Sequence, residues 1–460
     1  MALLRSLSSG VSSLRAHQQR LDVLSNNIAN VNTTGFKGSR VNFVDQFNQT
    51  LRVGNPPAAS QSGGAGGLNP TQVGLGVRVG NIQQDMSQGS ISVTSSPTDL
   101  AMQGEGFFVV RQVGINYFTR SGNFTFDRDG FLVDNSTGAY VQGYNLARNN
   151  DGSIQRDQVT REDGGIDLVN RLQRASVSVR VDPNTRSQPR QTQQISVSGN
   201  LNSNAPTGNQ VVTNINIFDN QGTQRVLQML YTKQAAPNTF SLQARVQLAD
   251  GTFANVGAAQ AVTFNADGTL ASIGADNTLP VQMSVNASDL NTALGLPSAF
   301  DQTLPRNLSL TFARQGNILG GLTQFASQDT AAIISQDGYG SGEISRISVD
   351  STGKVIGAFT NGISEILAQV VTAKFTNPSG LLRGANNYYT PSPNSGLANI
   401  QRAKEDFPST SITSNALEQS NVDLTEEFTD MIATQRAFEA ASRTVTTSDQ
   451  FLQEINQLKR

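Results

Sequence analysis

Apolar residues recur every seven positions at both ends of the chain and alternate with polar residues between them. At the first end, Leu7, Leu14, Leu21 and Ile28 keep that spacing, with Leu4 and Val11 on the adjoining seam. So narrow a stripe suits a coiled coil better than a globular core. Asn30-Val31-Asn32-Thr33-Thr34-Gly35 then ends the predicted helix, because Asn, Thr and Gly favour caps and turns. At the far end, Leu424, Met431, Phe438, Val445 and Leu452 repeat the pattern, and Phe428, Ile432, Ile455 and Leu458 widen it. Asp423 with Glu426 reads as an N-cap and its capping-box partner, and Lys459-Arg460 suits the negative end of the helix dipole.

A helix with one narrow stripe gains little alone. Nucleation is unfavourable, and each stripe residue contributes its roughly 1.5–3 kcal/mol only when a partner surface covers it. Charge assists pairing of the two ends: Arg5, Arg15 and Arg20 stand on the first arm, and Asp423, Glu426, Glu427 and Asp430 crowd the start of the second. Two arrangements fit. One is an ordinary helical pair closing a domain; the other is a pair of arms, disordered in the monomer, that order on polymerisation.

Between the arms the pattern becomes β. Asn55-Pro56-Pro57 and Ser62-Gly63-Gly64-Ala65-Gly66-Gly67 mark residues 33–75 as an extended or flexible connector. Strand-like runs follow, among them Gly106-Phe107-Phe108-Val109-Val110, Phe131-Leu132-Val133, Ile195-Ser196-Val197-Ser198 and Val226-Leu227-Gln228-Met229-Leu230-Tyr231. Phe126-Asp127-Arg128-Asp129-Gly130, Phe218-Asp219-Asn220-Gln221-Gly222, Phe264-Asn265-Ala266-Asp267-Gly268 and Val349-Asp350-Ser351-Thr352-Gly353 share one form. An Asp or Asn that bonds the turn backbone and a Gly that takes the left-handed position predict a hairpin at each. Asn361-Gly362 adds a type I′ candidate. Boundaries are placed near Asn149-Asn150-Asp151-Gly152 and Arg314-Gln315-Gly316-Asn317, with a second domain inserted between them.

Composition narrows the chemistry. The 460 residues are enough for two or more cores; 15% are charged, 37% are apolar and the net charge is −2, which does not describe a nucleic-acid-binding protein. Cys and Trp are absent, so disulfides, thiolate metal sites and Cys nucleophiles are excluded, and His17 alone cannot build a triad or metal site. Gly104-Glu105-Gly106 does not lead a strand into a helix and reads as a β-turn; Asp127-Arg128-Asp129-Gly130 lacks the later acidic ligands of a calcium loop. No catalytic, cofactor-binding or metal residues are nominated, and no cofactor is expected. No apolar run is long enough to cross a bilayer, and the N-terminus carries no signal-peptide pattern, so no membrane insertion is expected.

Leu24-Ser25-Asn26-Asn27-Ile28-Ala29-Asn30-Val31-Asn32-Thr33-Thr34-Gly35-Phe36-Lys37 resembles the signature shared by flagellar rod and hook proteins. Ser420-Asn421-Val422-Asp423-Leu424, Met431-Ile432-Ala433-Thr434-Gln435-Arg436-Ala437-Phe438 and Thr446-Thr447-Ser448-Asp449 resemble the C-terminal signature of that family. Asp99-Leu100-Ala101-Met102-Gln103-Gly104-Glu105-Gly106-Phe107-Phe108 and Tyr117-Phe118-Thr119-Arg120-Ser121-Gly122-Asn123-Phe124 are similar to its first β domain, which is expected to resume at Leu322-Thr323-Gln324-Phe325-Ala326 and continue through Gln336-Asp337-Gly338-Tyr339. The insertion, with Val197-Ser198-Gly199-Asn200-Leu201, looks like the outer domain of hook subunits; the connector is similar to the stretch that stiffens distal rods, which keeps a rod subunit as the alternative.

The expected fold is therefore α+β and multidomain. Residues 1–32 with 415–460 form a coiled-coil assembly domain, residues 33–75 a connector, residues 76–148 with 320–414 a first β domain, and residues 149–319 an inserted outer β domain. The resemblance implies a non-enzymatic subunit that polymerises with itself into a curved, torque-transmitting tube. It implies contacts with distal rod, hook cap and hook–filament junction proteins, and export through the flagellar type III apparatus without a cleaved signal peptide. Assembly residues are the stripes Leu7, Leu14, Leu21, Ile28, Leu424, Met431, Phe438, Val445 and Leu452; signature residues are Asn26, Asn27, Ala29, Asn30, Asn32, Thr34, Gly35 and Phe36.

Overall fold

A computed structural model describes residues 2–56, 67–148, 154–160, 166–173, 175–278, 280–296, 298–300, 307–313 and 320–458. Among these the chain is mostly β, with three α-helices: α1 (Ala2–Ala29), α2 (Ala287–Leu294) and α3 (Leu424–Leu458). The terminal helices pair antiparallel. Ser6 Oγ lies 3.2 Å from Ser448 Oγ near one end, and Arg20 meets Asp430 at 2.6 Å towards the other. Asp423 caps α3 as expected, its Oδ1 accepting from the backbone N–H of Thr425 at 2.7 Å and of Glu426 at 3.4 Å. Lys459-Arg460 lie outside the described residues.

The segment read as a connector is a long hairpin that overruns its expected end at residue 75. Its base pairs β1 (Ser39–Asp45) with a strand running on to Gln84, and its outer part pairs β2 (Asn48–Arg52) with β3 (Thr71–Gly74). The base strand, β4 (Val77–Gln84), follows directly. The Pro- and Gly-rich residues 57–66 lie outside the described residues. The hairpin rests on α1, where the Ser12 hydroxyl accepts from the Val77 N–H at 3.3 Å.

The inner β domain is built on a twelve-stranded sheet. Its centre runs through strands Ser364–Lys374, Tyr140–Asn145, Phe107–Gln112 and Ile115–Thr119. Phe108, Val110, Phe124, Leu132, Val141 and Val370 bury one face. Strand Ala416–Glu418, which leads into α3, pairs with Ile91–Val93, so the chain returns to its helical base through this domain.

The outer domain stacks two five-stranded sheets around one core that includes Leu242, Phe240, Phe312 and Leu310. One sheet is a meander of consecutive antiparallel strands from Gln210–Phe218 to Leu270–Ile273. In the other, strand Gln194–Asn200 pairs parallel with Asn307–Ala313 and with Leu322–Thr323, and antiparallel with Ala332–Gln336. This corrects the domain boundaries. Leu322 is wholly buried in the outer core, so the inner domain does not resume there and takes up the chain only after Tyr339. On the outgoing side, strand Val177–Ser178 still pairs with Tyr140–Asn145, so the inner domain runs past residue 148. The stretches chosen as boundaries, 149–152 and 314–317, lie outside the described residues.

The four repeated turns all close antiparallel strand pairs, with Gly130, Gly222, Gly268 and Gly353 at φ +80, +80, +81 and +78. In three of them the carboxylate of Asp127, Asp219 or Asp350 accepts two backbone N–H groups of its own turn; in the third turn of the series the acceptor is Asp267, for the Thr269 N–H, while the Asn265 side chain donates to Thr269 Oγ1. Those bonds also occupy Asp127, the opening residue of the rejected calcium loop. Asn361-Gly362 turns a hairpin as well, but Gly362 alone has positive φ, so it is not type I′. Asp219→Ala removes the one oxygen that accepts from both the Gln221 and the Thr223 N–H, at a buried site beside Arg225. We expect it to lower outer-domain stability by about 2 kcal/mol, read as an earlier denaturant midpoint with the inner-domain transition unchanged.

Candidate assembly surface and the joint at its base

The two arms meet along small and polar side chains. Among the positions whose burial is described, Gly10, Ala16, Leu24 and Asn27 are buried on α1, and Thr434 and Ser448 on α3. Gly10 marks the closest approach: a Cβ there would stand 2.8 Å from Val445 Cγ2 and 3.6 Å from the Ala441 carbonyl oxygen. Small residues let the backbones come together there, with Val445 of the heptad stripe packed against Gly10. Leu7, Leu14, Leu21, Ile28, Met431, Val445 and Leu452 are half-buried, and Leu424 and Phe438 are exposed. Phe428, Ile432, Phe451 and Ile455 are 50, 59, 52 and 49% exposed. Most of the apolar width of α3 is therefore left uncovered by α1.

At the base of the arms the signature residues build a joint. Asn27 bonds the backbone of Ser39 twice, donating to its carbonyl at 2.8 Å and accepting from its N–H at 3.0 Å, and donates to Glu427 Oε1 at 2.8 Å. Asn26, Asn30 and Thr33 close the end of α1, the Asn30 side chain donating to the Asn26 carbonyl at 2.9 Å and accepting from Thr33 Oγ1. Ala29 and Asn32 are exposed in this turn. Thr34 places its hydroxyl 3.3 Å from that of Ser121. Gly35, at φ +66, lies so close to the Arg120–Ser121 peptide that a Cβ would sit 2.5 Å from the Ser121 nitrogen; only Gly fits. Phe36 is fully buried, with the Arg383 guanidinium 4.0 Å from its ring centroid.

Next to Phe36 stands a buried ion cluster that the sequence reading did not nominate. Lys37 Nζ donates to Glu418 Oε1 at 2.6 Å and to the Ser87 carbonyl at 2.6 Å. The Gly89 N–H donates to the same Glu418 oxygen at 3.0 Å, and Arg120 Nη1 reaches Oε2 at 3.3 Å. Lys37 and Glu418 side chains are 1 and 0% exposed. Burial pushes the Lys37 pKa down, and the touching Glu418 carboxylate pulls it back up. Asn421 completes the joint, accepting from the Gly38 N–H at 2.8 Å and donating to the Asp85 carbonyl at 3.0 Å. The one available signal was a single acid among small and apolar residues, Ala416-Leu417-Glu418, just ahead of the C-terminal signature.

Above the joint, Arg20 answers the acidic start of α3 through Asp430, a half-exposed pair worth little by itself. Glu427 is held above its ordinary pKa, first by burial and then by Asp430 and Glu426, against the opposing Asn27 hydrogen bond. His17 packs edge-on against Phe43 of β1, ring centroids 5.5 Å apart, and burial followed by Arg20 lowers its pKa. No described helix is long and apolar enough to cross a membrane.

The chain matches models of flagellar axial protein families along most of its length. Residues 7–37 match the flagella basal body rod protein family, 101–203 the D1 domain of flagellar hook protein FlgE/F/G, 184–339 the D2 domain of flagellar basal body protein FlaE, and 413–458 the C-terminal region of flagellar basal body rod FlgEFG proteins. The flagellar hook protein FlgE of Treponema pallidum is 33% identical, with all of both chains covered. That of Borreliella burgdorferi is 32% identical over 99% of this chain and 100% of its own, and that of Escherichia coli K12 is 30% identical over 98% and 99%. The chain belongs to the flagellar hook protein family and is a structural subunit of the hook, located in the bacterial flagellum.

Two outcomes follow for the joint. Lys37→Met leaves Glu418 with Arg120 as its only cationic partner among the described residues, and we expect a loss of about 3 kcal/mol, measured by chemical denaturation of the inner domain. For Glu427, the raised folded pKa means that its contribution is full below the ordinary 4.5 and is lost as pH rises through the raised value. Glu427→Gln should therefore raise the melting temperature of the helical circular-dichroism signal at neutral pH and leave it unchanged below about pH 4.

Proposed function

We propose that this subunit polymerises through its paired arms into a curved, flexible tube that transmits motor torque to the filament as a universal joint, with no catalytic role. The observation that carries this reading is the apolar surface the paired arms leave open, from Phe428 and Ile432 to Phe451 and Ile455 on α3. A soluble monomer gains nothing from so much exposed apolar helix, whereas a neighbouring copy covers it at about 25 cal/mol per Å². The β1–β4 hairpin adds to that surface through exposed Phe47, Leu51, Val53 and Leu68.

In this reading the stripes, Leu7 to Ile28 on α1 and Leu424 to Leu452 on α3, pack as coiled-coil seams against neighbouring arms and build the inner tube. Contacts between different patches that do not close on themselves generate a helical filament. The inner and outer β domains stand progressively further from the axis, and the outer domains slide past one another as each row shortens and lengthens in a rotating curved tube. Family kinship supports contacts with the distal rod, the hook cap and the hook–filament junction, and export through the type III apparatus without a cleaved signal peptide.

Electron microscopy of basal bodies from a strain lacking the gene tests the reading. Complete rods and rings without a hook are expected; truncated rods would make this a distal-rod subunit, and intact flagella would overturn the reading. At residue level, Ile432→Asp should abolish polymerisation and change monomer stability by no more than about 0.5 kcal/mol, because the side chain is open to solvent before assembly. Hooks of normal yield from that variant, counted by microscopy, would remove α3 from the assembly surface.

A further inference from the structure

Two chain segments cross between the inner and outer β domains, residues 182–190 outward and residues 339–343 back. They run antiparallel and touch at two bridges, Arg186 with Glu343 and Arg190 with Tyr339. A two-stranded ribbon this short is marginal by itself and bends easily. The Arg186–Glu343 ion pair on it, 2.8 Å long, has both side chains about two-thirds exposed and stiffens it little.

On its outer side the ribbon is bound firmly. Arg190 reaches Asp337 at 3.1 Å in a nearly buried pair, and Asp337 Oδ1 accepts from the backbone N–H groups of Gln193 and Gln194 at 2.8 and 2.9 Å. The turn at Gly222 presses on Pro189 and Gly340, where a Cβ would stand 2.6 and 3.3 Å away. The ribbon therefore moves with the outer domain.

On its inner side the outgoing segment first passes the turn at Gly130, where a Cβ would stand 3.0 Å from Pro183 Cδ, and both strands then meet the tip of a second hairpin, Thr360-Asn361-Gly362. Thr360 bonds the returning strand alone, its N–H donating to the Glu343 carbonyl at 2.9 Å and its hydroxyl accepting from the Glu343 N–H at 3.1 Å. Asn361 touches both strands. Its Nδ2 donates to Ser187 Oγ on the outgoing strand at 2.7 Å and to the Gly340 carbonyl on the returning strand at 2.8 Å. Ser187 is 1% exposed, and its hydroxyl also accepts from the Gly342 N–H at 2.9 Å. One carboxamide thus spans the crossing at the point where the ribbon leaves the inner domain.

We propose that Asn361 is the latch that fixes the angle of the outer domain on the inner one, and that through this angle it sets the bending stiffness of the hook; the second part rests on the function proposed above. With both Nδ2 bonds made, the two domains turn together. With them broken, the ribbon bends at residues 187 and 342 and each subunit accommodates compression without sliding its neighbours.

Asn361→Asp tests the latch, because it keeps the size of the side chain and replaces the donor by an acceptor that faces the Gly340 carbonyl. In the full-chain protein, small-angle scattering should show a broadened interdomain distance distribution. The closed-to-open ratio should fall about fivefold, the equivalent of one net hydrogen bond, with both β-domain melting transitions retained. Ser187→Ala removes the acceptor from the opposite strand and leaves the inner turn intact, so it should reproduce the effect even where Asn361→Asp perturbs its own hairpin. Hooks carrying either variant should assemble at normal length and bend more readily under load. Scattering identical to the parent protein in both variants overturns the latch. Altered scattering with unchanged hook stiffness overturns its role in compliance, and a strain whose flagella do not need this gene overturns the hook reading while the scattering result still decides the latch.

Discussion

The arms and the inner domain are held to one another through one buried carboxylate, that of Glu418. Three distant parts of the chain converge on it: Lys37 from the end of the first arm, Arg120 from the inner sheet, and Gly89 from the loop between the hairpin and the inner domain. Glu418 itself sits on the strand that leads into the second arm. Burying these charges is costly, and their mutual attraction offsets the cost only while all the partners are in place. The cluster therefore adds little net stability but penalises any other arrangement of arms and β domain. A helical base that must present the same surface to every neighbour needs that kind of uniqueness more than it needs extra kilocalories.

Outward from that point the construction becomes progressively looser. The arms and joint are tied by the buried Lys37–Glu418 pair and by side-chain-to-backbone hydrogen bonds, Asn27 to Ser39 and Asn421 to Gly38 and Asp85. The inner domain is held by a sheet into which both the outgoing and returning chain are woven. The outer domain has its own complete core and connects through two strands only. Nesting one domain in a loop of another gives a rigid axis with a semi-independent exterior, which is the mechanical gradient a tube needs if it is to carry torque while flexing.

What the sequence disclosed follows the range of the interactions. Both helices were legible because a heptad repeat is a local pattern, and the four shared turns because an Asp or Asn and a Gly act within five residues of each other. The inner edge of the outer domain was not, because Leu322 and Thr323 owe their place to parallel pairing with Gly199 and Asn200, which leaves no trace in the neighbouring residues. Of the arm-to-arm seam only Val445, packed on Gly10, was nominated; Gly10, Ala16, Thr434 and Ser448 offer no apolar contrast, and the eye goes to the leucines beside them. Lys37, Arg120 and Glu418 were hidden by the sound expectation that charges face water.

The same split between local and distant contacts orders events in time. The outer meander joins consecutive strands through short turns, so its pairings close on the microsecond scale typical of hairpins. The pairing of α1 with α3 joins residues such as Ser6 and Ser448, 442 positions apart, and carries the largest loop-closure entropy in the molecule. Folding of the intervening domains shortens that loop by bringing Lys37 and Glu418 into contact. By that entropy argument the arms, and with them the surface proposed to meet other copies, pair at least cost once the domains between them have folded.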